Sequence, residues 1–187
     1  RQQKHSQFLQ SWEWGEFQKM IGKEIIRVGI ENEEGELKLV ATLIKIKLPV
    51  RNAYFYIPRG PVFMNWTKEF GDLFFDEMDK LCRQNGAIFS RFESGFIMSE
   101  IKYPIVSTIG PLPDFSVILD LDRPEENIFN SMQSNARENI SLAEKRGVEV
   151  SEGGEDDFND FWDITIKAQN RDKFLPHTED YFRKLFQ

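Results

Sequence analysis

Apolar residues recur every three or four positions in several stretches of the chain, and this spacing predicts helices with one buried face. Ser or Thr precedes three of these stretches, and such residues are typical N-caps because their side-chain oxygens accept hydrogen bonds from the first free backbone N–H groups. The predicted helices follow Ser11, follow Thr67, cover 155–171 and follow Thr178.

Other stretches alternate apolar and polar residues, or are short and almost wholly apolar, and these predict strands. A turn at 32–35 separates the first two runs, so they are expected to form an antiparallel hairpin. The predicted strands cover 26–30, 37–48, 53–58, 87–92, 103–109, 115–121 and 148–150. Helices and strands in this mixture predict an α+β fold.

The longest predicted unit runs from Phe115 to Gly147. Its strand leads into a helix that is expected to start at a capping box formed by Asp122 and Glu125. Five apolar residues then share one face of the helix: Phe129, Met132, Ala136, Ile140 and Ala143. The order of elements in this part weakly repeats the early part of the chain, which favours a repeated α+β unit whose second copy is incomplete.

The composition is that of a soluble globular protein, with 40% apolar and 29% charged residues among 187. The net charge of -7 disfavours free nucleic acid as a ligand of the whole chain, although a local basic patch could still bind it. No apolar run reaches the ~18 residues of a membrane span and no signal peptide is visible, so a cytoplasmic location is expected. The chain lacks an initial Met and ends inside a helical pattern, so we interpret it as a fragment.

The single cysteine, Cys82, excludes an intramolecular disulfide and any multi-cysteine metal site. It lies in the helix that follows Thr67, and a buried, unreactive thiol is the favoured interpretation. Trp12 and Trp14 are expected in the core. No Ser/His or Cys/His nucleophile pair and no spaced set of metal ligands is visible, which is consistent with chemistry on a substrate that is already activated.

Five segments occur here in one order: FLQSWEWGEFQ, YIPRGPV, IFSRFES, the block from LDL to AEKRGVEV, and RDKFLPHTEDYFRKLF. Together they resemble the Fem-type (FemABX) aminoacyltransferases, which build the interpeptide bridges of peptidoglycan. The resemblance covers nearly the whole chain. It implies tandem N-acetyltransferase-like (GNAT) domains with a mixed, mostly antiparallel sheet and flanking helices. Residues 1–112 would form the first domain, and 113–187 the N-terminal part of a second, incomplete one.

The resemblance also implies a reaction. Fem-type enzymes transfer an aminoacyl group from aminoacyl-tRNA to the stem-peptide amine of a peptidoglycan precursor, which is nucleotide-linked or lipid-linked. No cofactor besides aminoacyl-tRNA as co-substrate is expected, because its ester is already activated and the protein mainly positions the amine. A lipid-linked precursor would require peripheral contact at the inner face of the membrane. An incomplete second domain could also form oligomers through its open sheet edge.

One catalytic residue is implied by the resemblance. Glu93, at the end of the IFSRFES segment, matches an acidic residue of the family that would act as general base or orient the attacking amine. Ser94 stands where the family usually has proline, so the local turn is expected to differ. A plain surface carboxylate is the competing interpretation of Glu93.

Substrate-binding residues are implied at three further places. His177 and Tyr181 match a cation and a tyrosine, four residues apart, that hold the diphosphate and sugar of the precursor; a histidine is only partly charged near neutral pH. Lys19 lies next to the position of a phosphate-holding lysine, and a solvated helix lysine is the favoured alternative. Arg137 lies on the polar flank of the long helix, where a solvated face is favoured over a surface for RNA or precursor phosphates.

Two other functions stay open. An acyl-CoA N-acyltransferase of the same fold usually carries a basic-x-x-Gly-x-Gly loop that leads into a helix. The nearest match, at 83–88, ends a helix instead and lacks the second glycine. A non-catalytic binding fragment is the third hypothesis, because an open second domain would leave apolar helix faces that need a partner.

Overall fold

The computed structural model describes residues 7–50, 52–93, 101–113 and 117–186. Their packing divides the chain into two units. The first comprises Arg1–Thr108 with His177–Gln187, and the second comprises Ile109–Pro176. The domain boundaries drawn from the sequence, 1–112 and 113–187, stay a prediction.

The chain contains both helices and strands, with a mixed sheet and flanking helices, so the predicted α+β class is confirmed. Short 3-10 turns occur at Phe8–Gln10 and Glu155–Asp157. In chain order, the elements are α1 (Trp12–Met20), β1 (Glu24–Glu31), β2 (Leu37–Lys47), β3 (Ala53–Ile57), β4 (Val62–Phe63), α2 (Lys68–Asn85), β5 (Ala87–Phe92), α3 (Glu125–Ser131), α4 (Ser134–Lys145), α5 (Phe158–Asp172) and α6 (Glu179–Leu185).

A mixed sheet forms the centre of the first unit, with its strands in the order β1-β2-β3-β5. The pairs β1/β2 and β2/β3 are antiparallel, as the sequence predicts for the hairpin, whereas β3/β5 is parallel. Strand β4 pairs with β2 at Leu39 and Val40, beyond the part of β2 that β3 reaches. A parallel partner needs a crossover, and α2 supplies it between β4 and β5.

The core lies between one face of this sheet and α2. Alternate residues of the strands point to that face, which is the period-two rule for a half-buried sheet. The core is formed by Leu39, Ala41, Leu43, Phe55, Ile57, Phe63, Phe74, Phe75 and Met78. The pattern of α2 explains its place, since Phe74, Phe75 and Met78 share the helix face that is buried.

The three predicted N-caps of the first unit are confirmed. The backbone N–H groups of Trp14, Phe70 and Tyr181 donate to the side-chain oxygens of the caps, at distances of 3.0 to 3.3 Å. The caps are Ser11 for α1, Thr67 for α2 and Thr178 for α6.

The second unit contains α3, α4 and α5, and no strand occurs among its described residues. The predicted strands at 117–121 and 148–150 are therefore wrong, because no strand among the described residues lies beside them to accept their backbone hydrogen bonds. Phe115 lies outside the described residues. In the first unit, the predicted strand at 103–109 is also wrong: the Tyr103 ring packs beside Phe75 and its hydroxyl donates to Asp76 Oδ1 at 2.6 Å.

The single long helix predicted over 122–147 is wrong as well. The chain forms α3 and α4, separated at Met132 and Gln133, both of which are extended. The Ser131 hydroxyl donates to the Ile128 carbonyl at 2.7 Å, a local bond of the kind that competes with helix continuation. The expected capping box at Asp122 is absent, since α3 starts after Pro124.

Candidate active site

The sheet face opposite the core carries a group of polar and charged side chains. Arg27 in β1 lies opposite Thr42 in β2, and Tyr56 in β3 lies opposite Arg91 in β5. The side chains of both pairs point to the face opposite core residues such as Ile57. Helix α1 covers part of this face, because the Arg27 guanidinium donates to the backbone carbonyl of Trp12 at 3.0 Å.

Gln10 fastens the start of α1 to the sheet. Its side-chain Nε2 donates to the Pro58 carbonyl at 2.6 Å, and its Oε1 accepts from the backbone N–H of Thr42 at 2.7 Å. A Cβ at Gly60 would lie 2.6 Å from the Gln10 side-chain amide carbon. Position 60 of the turn at 58–61 is therefore a glycine, because a side chain there would collide with Gln10, which lies just before α1.

Glu93 lies directly after β5, on the side of the sheet that carries Tyr56. The Tyr56 hydroxyl donates to Glu93 Oε2 at 3.1 Å, and the Glu93 backbone N–H reaches the Ile57 carbonyl at 3.4 Å. Burial, and next the negative charge of Glu93, hold the pKa of Tyr56 well above its ordinary value. The phenol thus stays protonated and acts as a donor. The structure gives Glu93 a bonded, partly buried environment, while its catalytic role stays a prediction.

Lys19 lies near the end of α1 in a small network of charges. Its Nζ donates to Glu16 Oε1 at 2.9 Å, and Arg27 Nη2 donates to the same oxygen at 2.8 Å. These two hydrogen bonds, Lys19 first, hold the pKa of Glu16 below its ordinary value. The Arg27 guanidinium also lies 3.7 Å from the centre of the Trp12 ring, within the range of a cation–π contact. One carboxylate therefore holds two cations side by side.

Helix α6 places Tyr181 against α1. The Tyr181 and Phe17 rings meet edge to face with their centres 5.0 Å apart, and Phe17 is buried. The His177 ring stacks on Tyr181 with centres 3.9 Å apart, and burial raises the pKa of the Tyr181 hydroxyl. The structure thus brings two of the predicted substrate-binding residues, His177 and Tyr181, into contact, and it places Tyr181 against α1, the helix that carries Lys19.

Arg137 belongs to the second unit. Its Nη1 donates to the Met132 carbonyl and, at 3.4 Å, to the Asn130 carbonyl. These carbonyls lie at the end of α3, so the side chain joins α3 to the start of α4. The binding role of Arg137 stays a prediction.

Cys82 is half-buried in α2, and burial, followed by the charge of Asp79, raises the pKa of its thiol. A raised pKa keeps the thiol protonated, which agrees with an unreactive cysteine.

Sequence reasoning did not single out Glu16, Arg27 or Tyr56. Two features of the sequence could have indicated Glu16 and Arg27. Arg27 is a charged residue that alternates with the apolar residues of β1, so it lies on the face opposite the core. Trp12 and Glu16 are one helical turn apart, so they lie on the same side of α1. The expectation that Trp12 lies in the core is wrong, because its ring is 65% exposed and supports Arg27 instead.

No helix in the described part of the chain has both the length and the apolar character needed to cross a membrane. Within the same residues, no group of three or more His, Cys, Asp or Glu side chains is placed to hold a metal ion.

Comparison with known proteins decides the family. The FemAB family model matches residues 1–102 and 107–187. The chain belongs to the FemAB family. The resemblance inferred from the five segments is therefore confirmed.

Curated relatives include the lipid II:glycine glycyltransferase of Staphylococcus haemolyticus (strain JCSC1435), which is 24% identical over 196 positions. The match covers 95% of this chain and 46% of the relative. The protein of the same name from Staphylococcus aureus (strain MRSA252) gives the same identity and coverage. The chain thus spans about half the length of the curated FemAB relatives that it matches.

A solved structure, the crystal structure of FemX, matches with a TM-score of 0.75 over 99% of this chain and 50% of FemX. At 20% identity this similarity concerns the fold alone. The mixed sheet with flanking helices is accordingly a FemX-like arrangement.

Proposed function

We propose that this chain is part of an aminoacyltransferase that moves an aminoacyl group from aminoacyl-tRNA to the stem-peptide amine of a peptidoglycan precursor. FemAB membership and the names of the curated relatives, which are lipid II:glycine glycyltransferases, support it. The observation that carries it within this chain is the Glu93 carboxylate, bonded to Tyr56 at the edge of the sheet face that α1 covers. Tandem GNAT-like domains and action at the inner face of the membrane belong to the same proposal.

The reaction needs no covalent intermediate with the protein, because the ester of the aminoacyl-tRNA is already activated. The precursor amine attacks the ester carbonyl of the aminoacyl-tRNA, a C–N bond forms, and the C–O bond to the tRNA ribose breaks. Glu93 takes one proton from the ammonium before the attack, which frees the lone pair of the nitrogen. After the C–N bond has formed, the nitrogen loses a second proton, and the departing ribose oxygen receives it. Holding the two substrates in line supplies a large part of the acceleration.

The helices α1 and α6 would hold the precursor. Lys19 and His177 provide cationic or partly cationic groups for its diphosphate, and the Tyr181 ring provides a face for its sugar. Arg27 and Glu16 fix the direction of Lys19. In the second unit, Arg137 would contribute to a local cationic surface for RNA or precursor phosphates.

The test uses the full-length protein with tRNA charged with labelled glycine, and with lipid-linked or nucleotide-linked muropeptide as acceptor. We expect transfer of label to a muropeptide, and we expect Glu93→Gln to lower kcat about 100-fold or more. Glu33→Gln, in the exposed turn between β1 and β2, is the matched control and should leave kcat unchanged. No transfer from tRNA, together with activity on an acyl-CoA, would overturn the proposal.

A further inference from the structure

Tyr56 and Glu93 meet at the carboxyl ends of two parallel strands. Tyr56 lies opposite Arg91 in the β3/β5 register, so a residue two positions beyond Arg91 returns to the same side of the sheet. That residue is Glu93, and its Oε2 accepts the Tyr56 hydroxyl at 3.1 Å. The two side chains are 37 positions apart in sequence, so only the parallel pairing of β3 and β5 brings them together.

We propose that Tyr56 is a positioning residue for Glu93: its hydrogen bond to Oε2 fixes the orientation of the carboxylate that accepts the proton of the attacking amine. This inference rests on the proposed function, in which Glu93 is the general base. A free glutamate side chain samples many rotamers, and a general base acts only within hydrogen-bond reach of the proton that it takes. Fixing one oxygen removes most of that freedom before the substrate arrives.

The proton inventory supports a donor role for Tyr56. Burial is the largest cause of its raised pKa and the charge of Glu93 is the next, whereas the positive charge of Arg91 acts in the opposite direction. The phenol therefore keeps its proton at neutral pH and donates it to the hydrogen bond. The amine proton passes to Glu93 alone, and Tyr56 neither gains nor loses a proton in the step.

A neighbouring tyrosine provides the matched control. Tyr54 lies two residues earlier on β3, on the same face of the sheet, and its ring stacks on Phe89 with centres 4.9 Å apart. Tyr54→Phe and Tyr56→Phe each remove one phenolic oxygen from the same strand. Only the second change removes the Tyr56 hydroxyl that donates to Glu93 Oε2.

The experiment is a double-mutant cycle on the full-length protein, with transfer of labelled glycine from charged tRNA to muropeptide as the assay. We expect Tyr56→Phe to lower kcat about tenfold with KM within about twofold, because the base loses its orientation and substrate binding does not change. In the Glu93→Gln background, Tyr56→Phe should have no further effect on kcat. Glu93→Asp, which keeps the charge but shortens the reach to Tyr56, should likewise make Tyr56→Phe silent.

Each other result overturns the inference. An equal fall in kcat with and without Glu93 would mean that Tyr56 acts independently of it, and an equal fall with Tyr54→Phe would mean a general effect of altering β3. Circular dichroism of every variant checks that it is folded. Absence of transfer by the wild-type protein overturns the proposed function and this inference with it, whereas wild-type transfer with additive mutants overturns the inference alone.

Discussion

The two units of the chain use similar amphipathic helices with opposite results. In the first unit, α2 lies on a sheet, and the strand residue Ile57 beneath it is completely buried. In the second unit, α3, α4 and α5 accompany no strand among the described residues, and Ile118 is 89% exposed. Phe158 is the buried apolar side chain of the described part of that unit. A helix with an apolar stripe makes a core only when another element presents an apolar face to it.

The largest expected effect comes from two isoleucines that differ only in their surroundings. Ile57→Ala should lower the free energy of unfolding by about 2–5 kcal/mol, because it removes apolar surface that is buried on folding and leaves a cavity in the core. Ile118→Ala should change it by less than about 0.5 kcal/mol, since the side chain is already in water. Urea denaturation followed by tryptophan fluorescence measures both. Equal losses would mean that the second unit buries Ile118 in solution.

The sequence predicts the first unit well because its signals are local and agree with one another. Ser11 and Thr67 mark helix starts, the alternation in β1 and β2 marks a hairpin, and 87–92 matches β5 residue for residue. It misses β4, which has only two residues and gains its place from pairing with β2. The parallel pairing of β3 with β5 has no local signal either, because it depends on where α2 returns the chain.

In the second unit the helix predicted over 155–171 is confirmed by α5, but the other predictions fail for physical reasons. The apolar runs at 117–121 and 148–150 have strand composition, but composition does not supply a hydrogen-bonding neighbour. The uninterrupted apolar spacing across Met132 predicted one helix. In the structure, however, the side chains of Ser131 and Arg137 donate hydrogen bonds to backbone carbonyls at the end of α3, where the helix stops. The spacing of apolar residues predicts which face of a helix is buried, but it does not predict hydrogen bonds from side chains to backbone carbonyls.

The candidate site shows the same division. Lys19, His177 and Tyr181 came from resemblance to a family, and the structure adds that Tyr181 stacks on His177 and packs against Phe17 of α1. Tyr56 could not be found by motif, because its partner Glu93 lies on another strand and only tertiary pairing joins them.

An intermediate effect is expected from the helix caps, which differ between the units. Thr67 caps α2 with its side chain, whereas Gln133 at the start of α4 makes no such hydrogen bond. Thr67→Ala should cost about 1 kcal/mol of unfolding free energy, and Gln133→Ser should gain about 0.5 kcal/mol, because serine can accept from the free N–H groups of α4. Thermal unfolding followed by circular dichroism at 222 nm measures both shifts. A loss on Gln133→Ser would show that the glutamine holds α4 by contacts other than a cap.

The smallest expected effect concerns two aspartates whose pKa values are both held below the ordinary 3.8. For Asp76 the main cause is the hydrogen bond from Lys102, followed by that from Tyr103, which lie 26 and 27 positions away. For Asp172 the cause is the hydrogen bond from Arg171, its neighbour in sequence. Unfolding separates the first set of partners and leaves the second pair adjacent.

A carboxylate with a lowered folded pKa stabilises the fold at pH values above its ordinary pKa, and this stabilisation is lost as the pH falls through the lowered value. Asp76→Asn should therefore flatten the fall in the urea midpoint as the pH falls through the ordinary pKa of 3.8 and on through the lowered folded value. Asp172→Asn should flatten it less, because Arg171 stays beside Asp172 in the unfolded chain and lowers its pKa there too. Equal flattening would mean that Lys102 and Tyr103 do not hold Asp76 in solution, and that sequence neighbours alone set the acid dependence. The two units would then differ in apolar burial and in helix caps, and charge would contribute nothing to the difference.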